Sequence, residues 1–213
     1  MSLMELSSVS YSYDGKKMVL TDISAAFEER KMYAIVGPSG CGKTTLLSLL
    51  GGLDTPSSGS VLFNGTDIKK IGLSAHRRDN VSFIFQNYNL IDYMTPLENA
   101  SLSSAAKESA LPMLTRLGLT QSEVKRNVLK LSGGQQQRVA IARALLAGTK
   151  VILADEPTGN VDDAMSEEIA GLLKESVQET GKCVIVVTHS TDLAAKADTV
   201  FLLRNGILQK QNM

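Results

Sequence analysis

The sequence predicts an α/β fold with a buried, mostly parallel sheet, and its length and hydrophobic pattern both support that class. Short apolar runs alternate with helix-length amphipathic segments along the 213 residues, as they do when helices connect parallel strands. The chain is also long enough to bury a substantial core as one large domain. The apolar runs are KMYAIVG (31–37), VSFIF (81–85), VILAD (151–155) and CVIVVTH (183–189).

The two ends of the chain and one internal segment depart from this alternation. MELSSVSYSY (4–13) and VLTDISAAF (19–27) predict antiparallel strands laid against the parallel sheet. TVFLLRNGILQKQ (199–211) predicts a closing hairpin, because Asn-Gly is a favoured two-residue turn. Residues 95–131 are helix-like, rich in Ser and Ala, interrupted by Pro112 and without a strand pattern. They predict a small helical subdomain inserted into a core formed by residues 1–94 and 132–213.

Composition excludes several classes of protein. Lys+Arg and Asp+Glu both number 22, so no net charge draws the chain towards nucleic acid or an acidic membrane surface. The longest uncharged apolar-rich stretch, TTLLSLLGGL (44–53), is too short to span a bilayer, and we expect no direct membrane insertion. Cys41 and Cys183 form no disulfide framework, which favours the reducing cytoplasm.

The stretch GPSGCGKT (37–44) matches the P-loop pattern G-x-x-x-x-G-K-[ST]. It follows the apolar run MYAIV and precedes the helical pattern TLLSLL, which is the strand-loop-helix context that a P-loop requires. In such a loop backbone N–H groups face phosphate oxygens, Lys43 reaches the β- and γ-phosphates, and the Thr44 hydroxyl can ligate Mg²⁺. The sequence therefore predicts a P-loop NTPase core. Its predicted nucleotide-binding residues here are Gly37, Pro38, Ser39, Gly40, Cys41, Gly42, Lys43, Thr44 and Thr45.

Two carboxylates and a histidine follow other apolar runs of the predicted sheet. Asp155 ends the run VILAD, at the strand end where α/β sheets bind ligands, and is the predicted Mg²⁺ partner. Glu156 is a second carboxylate and can act as the general base for an attacking water; the alternative is an exposed acid before a proline turn. His189 ends CVIVVTH at the same edge, where it is either a catalytic or a structural histidine.

The stretch LSGGQQQRVAIARAL (131–145) begins a helix with two glycines. Ser132 and Gln135 form a capping-box pattern, so Gly133 and Gly134 lie in the first helical turn. Glycine disfavours a helix, but it allows another group to approach backbone N–H donors at the positive end of the helix dipole. The alternatives are an anion site and a glycine-softened turn before a surface helix. Since the P-loop already serves one triphosphate, an anion site here implies a nucleotide on a second copy in a two-fold dimer.

Together these motifs resemble the nucleotide-binding subunit of an ATP-binding cassette (ABC) transporter, over nearly the whole chain as a single ABC ATPase domain. LSGGQ (131–135) matches the signature of that family. The resemblance implies that Ser132, Gly133 and Gly134, with Gln135, contact the γ-phosphate held by the P-loop of the opposite subunit. Two chains would then enclose two ATP molecules with Mg²⁺.

The resemblance also assigns roles to residues outside these motifs. Tyr13 matches the aromatic residue that stacks on adenine, and Tyr11 is the alternative candidate for that role. Gln86 matches the glutamine that touches Mg²⁺ or the attacking water, the alternative being a buried strand-end glutamine. Asp162 matches the loop acid that communicates across the dimer, and His189 the histidine that contacts the γ-phosphate.

Within the family the motifs look most like the lipoprotein-releasing, macrolide-export and cell-division group. That resemblance implies an ATPase of the translocase class that drives a separate membrane permease, as an exporter or by mechanotransmission. It would be cytoplasmic, bound through the permease to the inner face of the membrane. Two alternatives are an ATP-dependent signalling subunit of a cell-division-type complex and a soluble ABC ATPase.

Overall fold

The computed structural model describes residues 2–102 and 107–211. The strands are, in chain order, β1 (Ser2–Tyr11), β2 (Leu20–Glu28), β3 (Met32–Val36), β4 (Ser58–Phe63), β5 (Thr66–Asp67), β6 (Val81–Ile84), β7 (Val151–Asp155), β8 (Cys183–Val187), β9 (Thr199–Arg204) and β10 (Ile207–Lys210). The helices are α1 (Lys43–Leu50), α2 (Ile68–Ile71), α3 (Leu73–Asp79), α4 (Pro96–Ser101), α5 (Ala110–Arg116), α6 (Gly133–Leu146), α7 (Asp163–Thr180) and α8 (Thr191–Ala195). Two 3₁₀ turns lie at Lys107–Ser109 and Val128–Lys130.

The predicted parallel sheet is present as a six-stranded sheet of order β10-β9-β3-β8-β7-β6. Its strands pair in parallel except for the β9–β10 hairpin. Every residue of β7 and β8 is buried, which explains their continuous apolar sequences. Because β3, β6, β7 and β8 run in the same direction, the segments that follow all four strands meet at one edge of the sheet.

The predicted closing hairpin is also present. Arg204 pairs with Ile207 across a two-residue turn, and both turn residues have positive φ, 51° at Asn205 and 76° at Gly206. Such values define the type I′ turn that Asn-Gly favours. The hairpin adds one antiparallel strand to the edge of an otherwise parallel sheet.

The two predicted front strands belong to a separate four-stranded antiparallel sheet of order β2-β1-β4-β5. The sequence prediction missed β4 and β5, because β4 buries only Val61 and Phe63 and β5 has two residues. This sheet and α1 cover one face of the parallel sheet. Their shared core includes Leu6, Ile23, Leu46, Leu49, Leu50, Ile35, Ile185 and Val187.

Helices α6 and α7 cover the opposite face of the parallel sheet. Helix α7 buries Ile169, Leu172, Leu173 and Val177, which recur at the spacing of one helix face. Gly181 ends α7 with a φ of 71°, the left-handed conformation that glycine adopts easily after a helix. A continuous apolar core therefore holds α6 in place on this face of the sheet.

The region predicted as a helical subdomain, 95–131, contains short helices and packs onto α6. Thr95 and Glu98 form a capping box at the start of α4. Pro112 lies in the first turn of α5, where a proline is tolerated, so it does not interrupt the helix as the sequence suggested. Leu114 and Leu117 share a core with Val139 of α6. Residues 103–106 of the predicted subdomain lie outside the described residues.

Within residues 2–102 and 107–211, no helix is both long enough and apolar enough to span a membrane.

Candidate nucleotide-binding and catalytic site

The loop between β3 and α1 presents backbone donors at the start of a helix. Gly40 and Gly42 have φ values of 75° and 104°, which a residue with a side chain rarely adopts. The first backbone hydrogen bond into α1 runs from Leu46 N–H to the Gly42 carbonyl. The earlier N–H groups of the helix have no intrahelical acceptor, and the helix dipole makes this end positive. The loop therefore has the donors that a phosphate group requires.

The ammonium group of Lys43 is a buried cation beside this loop. Its side chain is 7% exposed, and Nζ donates to the carbonyl oxygens of Gly37 at 2.8 Å and Pro38 at 3.2 Å. Nζ also lies 3.3 Å from Nε2 of His189. The sequence-predicted lysine and histidine are thus neighbours, although 146 residues separate them.

Thr44 and Asp155 form a pair of oxygen groups beside the loop. The Thr44 hydroxyl donates to Oδ2 of Asp155 at 2.8 Å. Burial raises the pKa of Asp155, and the nearby Glu156 adds to that effect, whereas the Thr44 hydrogen bond and Lys43 oppose it. Hydroxyl and carboxylate oxygens are ligands that Mg²⁺ prefers, and a cation would offset the unfavourable burial of this carboxylate. The residues therefore fit a Mg²⁺ ion held between α1 and β7.

Glu156 points a carboxylate into the same space. Its Oε2 accepts hydrogen bonds from the Thr188 hydroxyl and the His189 N–H, both at 3.2 Å. Its Oε1 is buried, lies 3.4 Å from Nε2 of His189 and has no hydrogen-bond partner among the described residues. The side chain is 17% exposed, so it is not the exposed acid that the sequence left as an alternative. An acceptor oxygen with free capacity suits a general base.

The two histidines of the chain differ sharply in environment. The His189 side chain is 52% exposed, and its Nε2 lies between Lys43 and Glu156. His76 is fully buried; its Nε2 contacts the Leu50 carbonyl at 3.1 Å, and burial lowers its pKa. Only His189 is therefore available to a ligand at the P-loop.

Tyr13, rather than its rival Tyr11, presents a ring to solvent beside the loop. Tyr13 is 71% exposed, and its hydroxyl lies 2.6 Å from Oγ1 of Thr45. Tyr11 is buried and donates a hydrogen bond to Asp54, which raises the pKa of Tyr11 to about 12. The two rings meet edge to face, with centroids 4.9 Å apart, so Tyr11 supports the Tyr13 ring.

The structure places the remaining predicted residues at several positions around this edge. Gln86 is exposed two residues beyond β6, so it is not a buried strand-end glutamine. Asp162 caps α7 by accepting the Met165 N–H at 2.9 Å. Among the described residues, no hydrogen bond joins either side chain to the P-loop residues 37–45.

The glycine pair begins α6 as the capping pattern predicts. Ser132 accepts from the Gln135 N–H, and the Gln135 side chain accepts from the Ser132 N–H. The buried residues Val139, Ala140, Ile141, Ala142 and Ala144 show that α6 is a core helix. The alternative of a turn before a surface helix was therefore wrong.

Sequence reasoning missed a junction between α6 and two loops. A Cβ atom on Gly133 would lie 3.0 Å from the Tyr88 hydroxyl, and one on Gly134 would lie 3.0 Å from the Asn160 carbonyl. Asn160 Nδ2 in turn donates to the Tyr88 hydroxyl at 3.0 Å. The two glycines thus allow close packing within the chain as well as leaving N–H donors accessible. No periodic pattern signals these contacts, since they join residues far apart in sequence.

Comparison with known proteins identifies the family to which a chain with these site residues is similar. A family model described as ABC transporter matches residues 20–159. The chain is 44% identical to the uncharacterized ABC transporter ATP-binding protein YclH of Bacillus subtilis, covering 100% of this chain and 99% of that protein. It is 42% identical to the lipoprotein-releasing system ATP-binding protein LolD of Idiomarina loihiensis, over 96% and 94% of the two chains. It also matches the macrolide export ATP-binding/permease protein MacB of Hahella chejuensis at 41% identity, over 96% of this chain and 33% of MacB.

Solved structures extend the similarity to the fold. The dimeric bacterial ABC transporter cassette MJ0796 has a TM-score of 0.89 and 35% identity, and the match covers 99% of each chain. A second MJ0796 structure, a post-hydrolysis state bound to ADP and Pi, has a TM-score of 0.88 at the same identity and the same coverage of each chain. Both the architecture and the motif order of this chain are therefore similar to those of a dimeric ATP-binding cassette.

Proposed function

This chain belongs to the ABC transporter family, as an ATP-binding subunit, and we propose that it binds and hydrolyses MgATP to drive a separate membrane permease. The observation that carries the proposal is the convergence of Lys43, the Thr44–Asp155 pair and Glu156 at one edge of the sheet. A phosphate cradle, a pair of metal ligands and a carboxylate acceptor are the parts that phosphoryl transfer to water needs.

We propose the following roles in the chain's own half of the site. The P-loop residues 37–45, through the backbone N–H groups that all of them except Pro38 carry, and the Lys43 ammonium bind the β- and γ-phosphates. The exposed ring of Tyr13 stacks on the adenine. Thr44 and Asp155 hold Mg²⁺, with Gln86 near the metal or the water. When bound, Mg²⁺ supplies positive charge that neutralises the phosphate oxygens. His189, beside Lys43, contacts the γ-phosphate.

Glu156 is the proposed general base. Its Oε1 accepts a proton from water, the water oxygen bonds to the γ-phosphorus, and the bond to the β,γ-bridging oxygen breaks, leaving ADP and phosphate. The two hydrogen bonds to Oε2 orient the carboxylate. Oε1, buried and unpartnered within the described part of the chain, remains to take the proton.

A second copy completes the site in this proposal. The start of α6, with Ser132, Gly133, Gly134 and Gln135, contacts the γ-phosphate held by the partner's P-loop, and Asp162 communicates across the interface. The similarity to a dimeric cassette at 35% identity supports this arrangement. It also explains why one chain has two glycine-rich helix starts.

The proposed transport role is based on the similarity of this chain to LolD and MacB. LolD is named for a lipoprotein-releasing system and MacB for an ATP-binding/permease protein that is about three times longer than the matched region. We propose that the present chain works with a permease on a separate chain, bound at the inner face of the membrane, in export or mechanotransmission. ATP binding and hydrolysis would proceed in the same way if the chain belonged to a cell-division-type signalling complex.

The catalytic assignment is tested by Glu156→Gln. This substitution keeps the size and the oxygen but removes the proton acceptor, so we expect ATP binding to persist while hydrolysis falls by roughly 10²- to 10⁴-fold. Equilibrium binding of ATP and steady-state phosphate release measure the two quantities. Hydrolysis by Glu156→Gln at the wild-type rate would remove Glu156 as the base.

The partner is tested with the same variant. Tagged Glu156→Gln protein, loaded with ATP, is purified from solubilised membranes, and the proteins that co-purify with it are identified by mass spectrometry. We expect a permease with a large extracytoplasmic domain. The matched control carries Lys43→Ala as well, which should weaken ATP binding and reduce the recovery. If only ribosomal or nucleic-acid-binding proteins co-purify, the result would contradict the transport role and favour a soluble ABC ATPase.

A further inference from the structure

The first two turns of α6 lie against residues 156–162, which connect β7 to α7 and which we name the Glu156 loop. Gly134 packs against the Asn160 carbonyl of this loop. One turn further along, Gln137 faces the same loop, because residues three and four apart share one side of a helix. The helix whose start carries the family signature is thus docked on the segment that carries the proposed general base.

Gln137 makes this contact through hydrogen bonds to backbone. Its side chain is fully buried, and Nε2 donates to the carbonyl oxygen of Glu156 at 3.2 Å and to that of Pro157. The other amide atom, Oε1, is buried without a hydrogen-bond partner among the described residues. A core glutamine with an unused acceptor is unfavourable for stability, so what Gln137 contributes is the placement of the two carbonyl groups that Nε2 holds.

The backbone that Gln137 holds is in an unusual conformation. Glu156 has a φ of 46°, in the left-handed region that residues with side chains rarely adopt. Its N–H donates to the Val187 carbonyl at 3.0 Å, and its carbonyl accepts from Gly159 N–H as well as from Gln137. Rotation of this residue would move the carboxylate away from Thr188 and His189. The hydrogen bonds from β8 and α6 therefore determine where the carboxylate points.

We propose that Gln137 is a positioning residue that couples the start of α6 to Glu156. The proposal rests on the function proposed above, in which the start of α6 contacts the partner's ATP and Glu156 acts on the chain's own ATP. A shift of α6 caused by the partner's nucleotide then moves the backbone of Glu156 through Gln137. Within one chain, the two composite ATP sites are linked by about one turn of helix.

The test compares Gln137→Met with Gln136→Met in the full chain. Methionine keeps the volume of glutamine and removes the donor, so packing is retained. Gln136, the adjacent residue, donates to the Leu131 carbonyl, and within residues 2–102 and 107–211 its side chain makes no hydrogen bond to the Glu156 loop. We expect Gln137→Met to lower kcat about 10-fold, since small misplacements of a catalytic group are costly. KM for ATP should stay within about two-fold, and the Hill coefficient for ATP should fall. Gln136→Met should change none of these.

A double variant separates positioning from a structural role. If Gln137 acts through Glu156, adding Gln137→Met to Glu156→Gln should not lower the residual rate further. An equal fractional loss in both backgrounds, or the same kcat for Gln137→Met and Gln136→Met, would overturn the inference. If Gln137→Met does not yield folded protein, Gln137→Ala is tested by the same comparisons. Absence of ATP hydrolysis by the wild type would instead overturn the proposed function.

Discussion

The P-loop edge and the start of α6 are both glycine-rich helix starts, but they differ in what surrounds them. At the P-loop, Lys43, Asp155, Glu156 and His189 converge within hydrogen-bonding distance of one another or of the loop. At the start of α6, Ser132 is exposed and its side chain only caps the helix. The first region brings together the candidate catalytic groups, whereas the second offers backbone donors. A helix start of the second kind can act on a phosphate only where another molecule brings that phosphate.

The sharpest way to separate the two regions is Ser132→Asp. Ser132 is exposed, and aspartate can keep the cap of α6, but its charge would repel a phosphate brought by the partner. Gly134 is less suitable, because a Cβ there would lie 3.0 Å from the Asn160 carbonyl of the Glu156 loop. We expect monomeric ATP binding to be unchanged and hydrolysis to fall by about 100-fold, as when a charge-stabilising donor is lost. Gly171→Asp is the matched control, since a Cβ at Gly171 in α7 meets no atom within 4 Å. Loss of monomeric ATP binding in folded Ser132→Asp protein would contradict this separation of the two regions.

A smaller effect is expected at the rim of the P-loop region. Tyr13→Ala removes the exposed ring, and we expect KM for ATP to rise about 10-fold, within the range of base–aromatic stacking. Tyr13→Phe keeps the ring and loses only the contact with Thr45, so its KM should stay near the wild-type value. Steady-state kinetics with ATP measure both. Equal KM values for Tyr13→Ala and wild type would exclude Tyr13 as the adenine platform.

The smallest effect concerns stability. Burial raises the pKa of Asp155 above its unfolded value, so this group favours the folded state below the unfolded pKa and loses that contribution as pH rises through the folded pKa. At pH 7 its ionised form therefore opposes folding. Asp155→Asn should raise the melting temperature of the nucleotide-free protein by about 2 °C at pH 7, less at pH 4, and should weaken Mg²⁺-dependent hydrolysis. A lower melting temperature at pH 7 would show that the Thr44–Asp155 pair stabilises the fold.

The sequence predicted the P-loop edge more completely than the junction around α6. Strand ends in a parallel sheet share one edge, so Lys43, Asp155, Glu156 and His189 could be assembled from the strand pattern. The choice of Tyr13 over Tyr11 required the exposure of each ring, which cannot be read from two tyrosines that lie two residues apart in a strand-like segment. β4 and β5 were missed because they bury few side chains.

The contacts of Gln137 and of the signature glycines could not be predicted from local pattern. Gln137 meets the carbonyl groups of a loop about 20 residues away, and neither helix periodicity nor a motif encodes that pairing. The capping box at Ser132 and Gln135, by contrast, depends on residues three apart and was predicted correctly. Local hydrogen bonds follow from spacing, whereas the docking of a helix on a loop depends on the whole core.

Complementation between two inactive variants tests most directly whether each ATP site is shared by two chains. Lys43→Ala removes the P-loop cation, and Ser132→Asp blocks the start of α6. A mixed dimer has one site with an intact P-loop from the Ser132→Asp chain and an intact α6 start from the Lys43→Ala chain. We expect the equal mixture to hydrolyse ATP faster than either variant alone, up to about a quarter of the wild-type rate, since half of the dimers are mixed and each has one complete site of two. A mixture no more active than either variant alone would contradict the shared site.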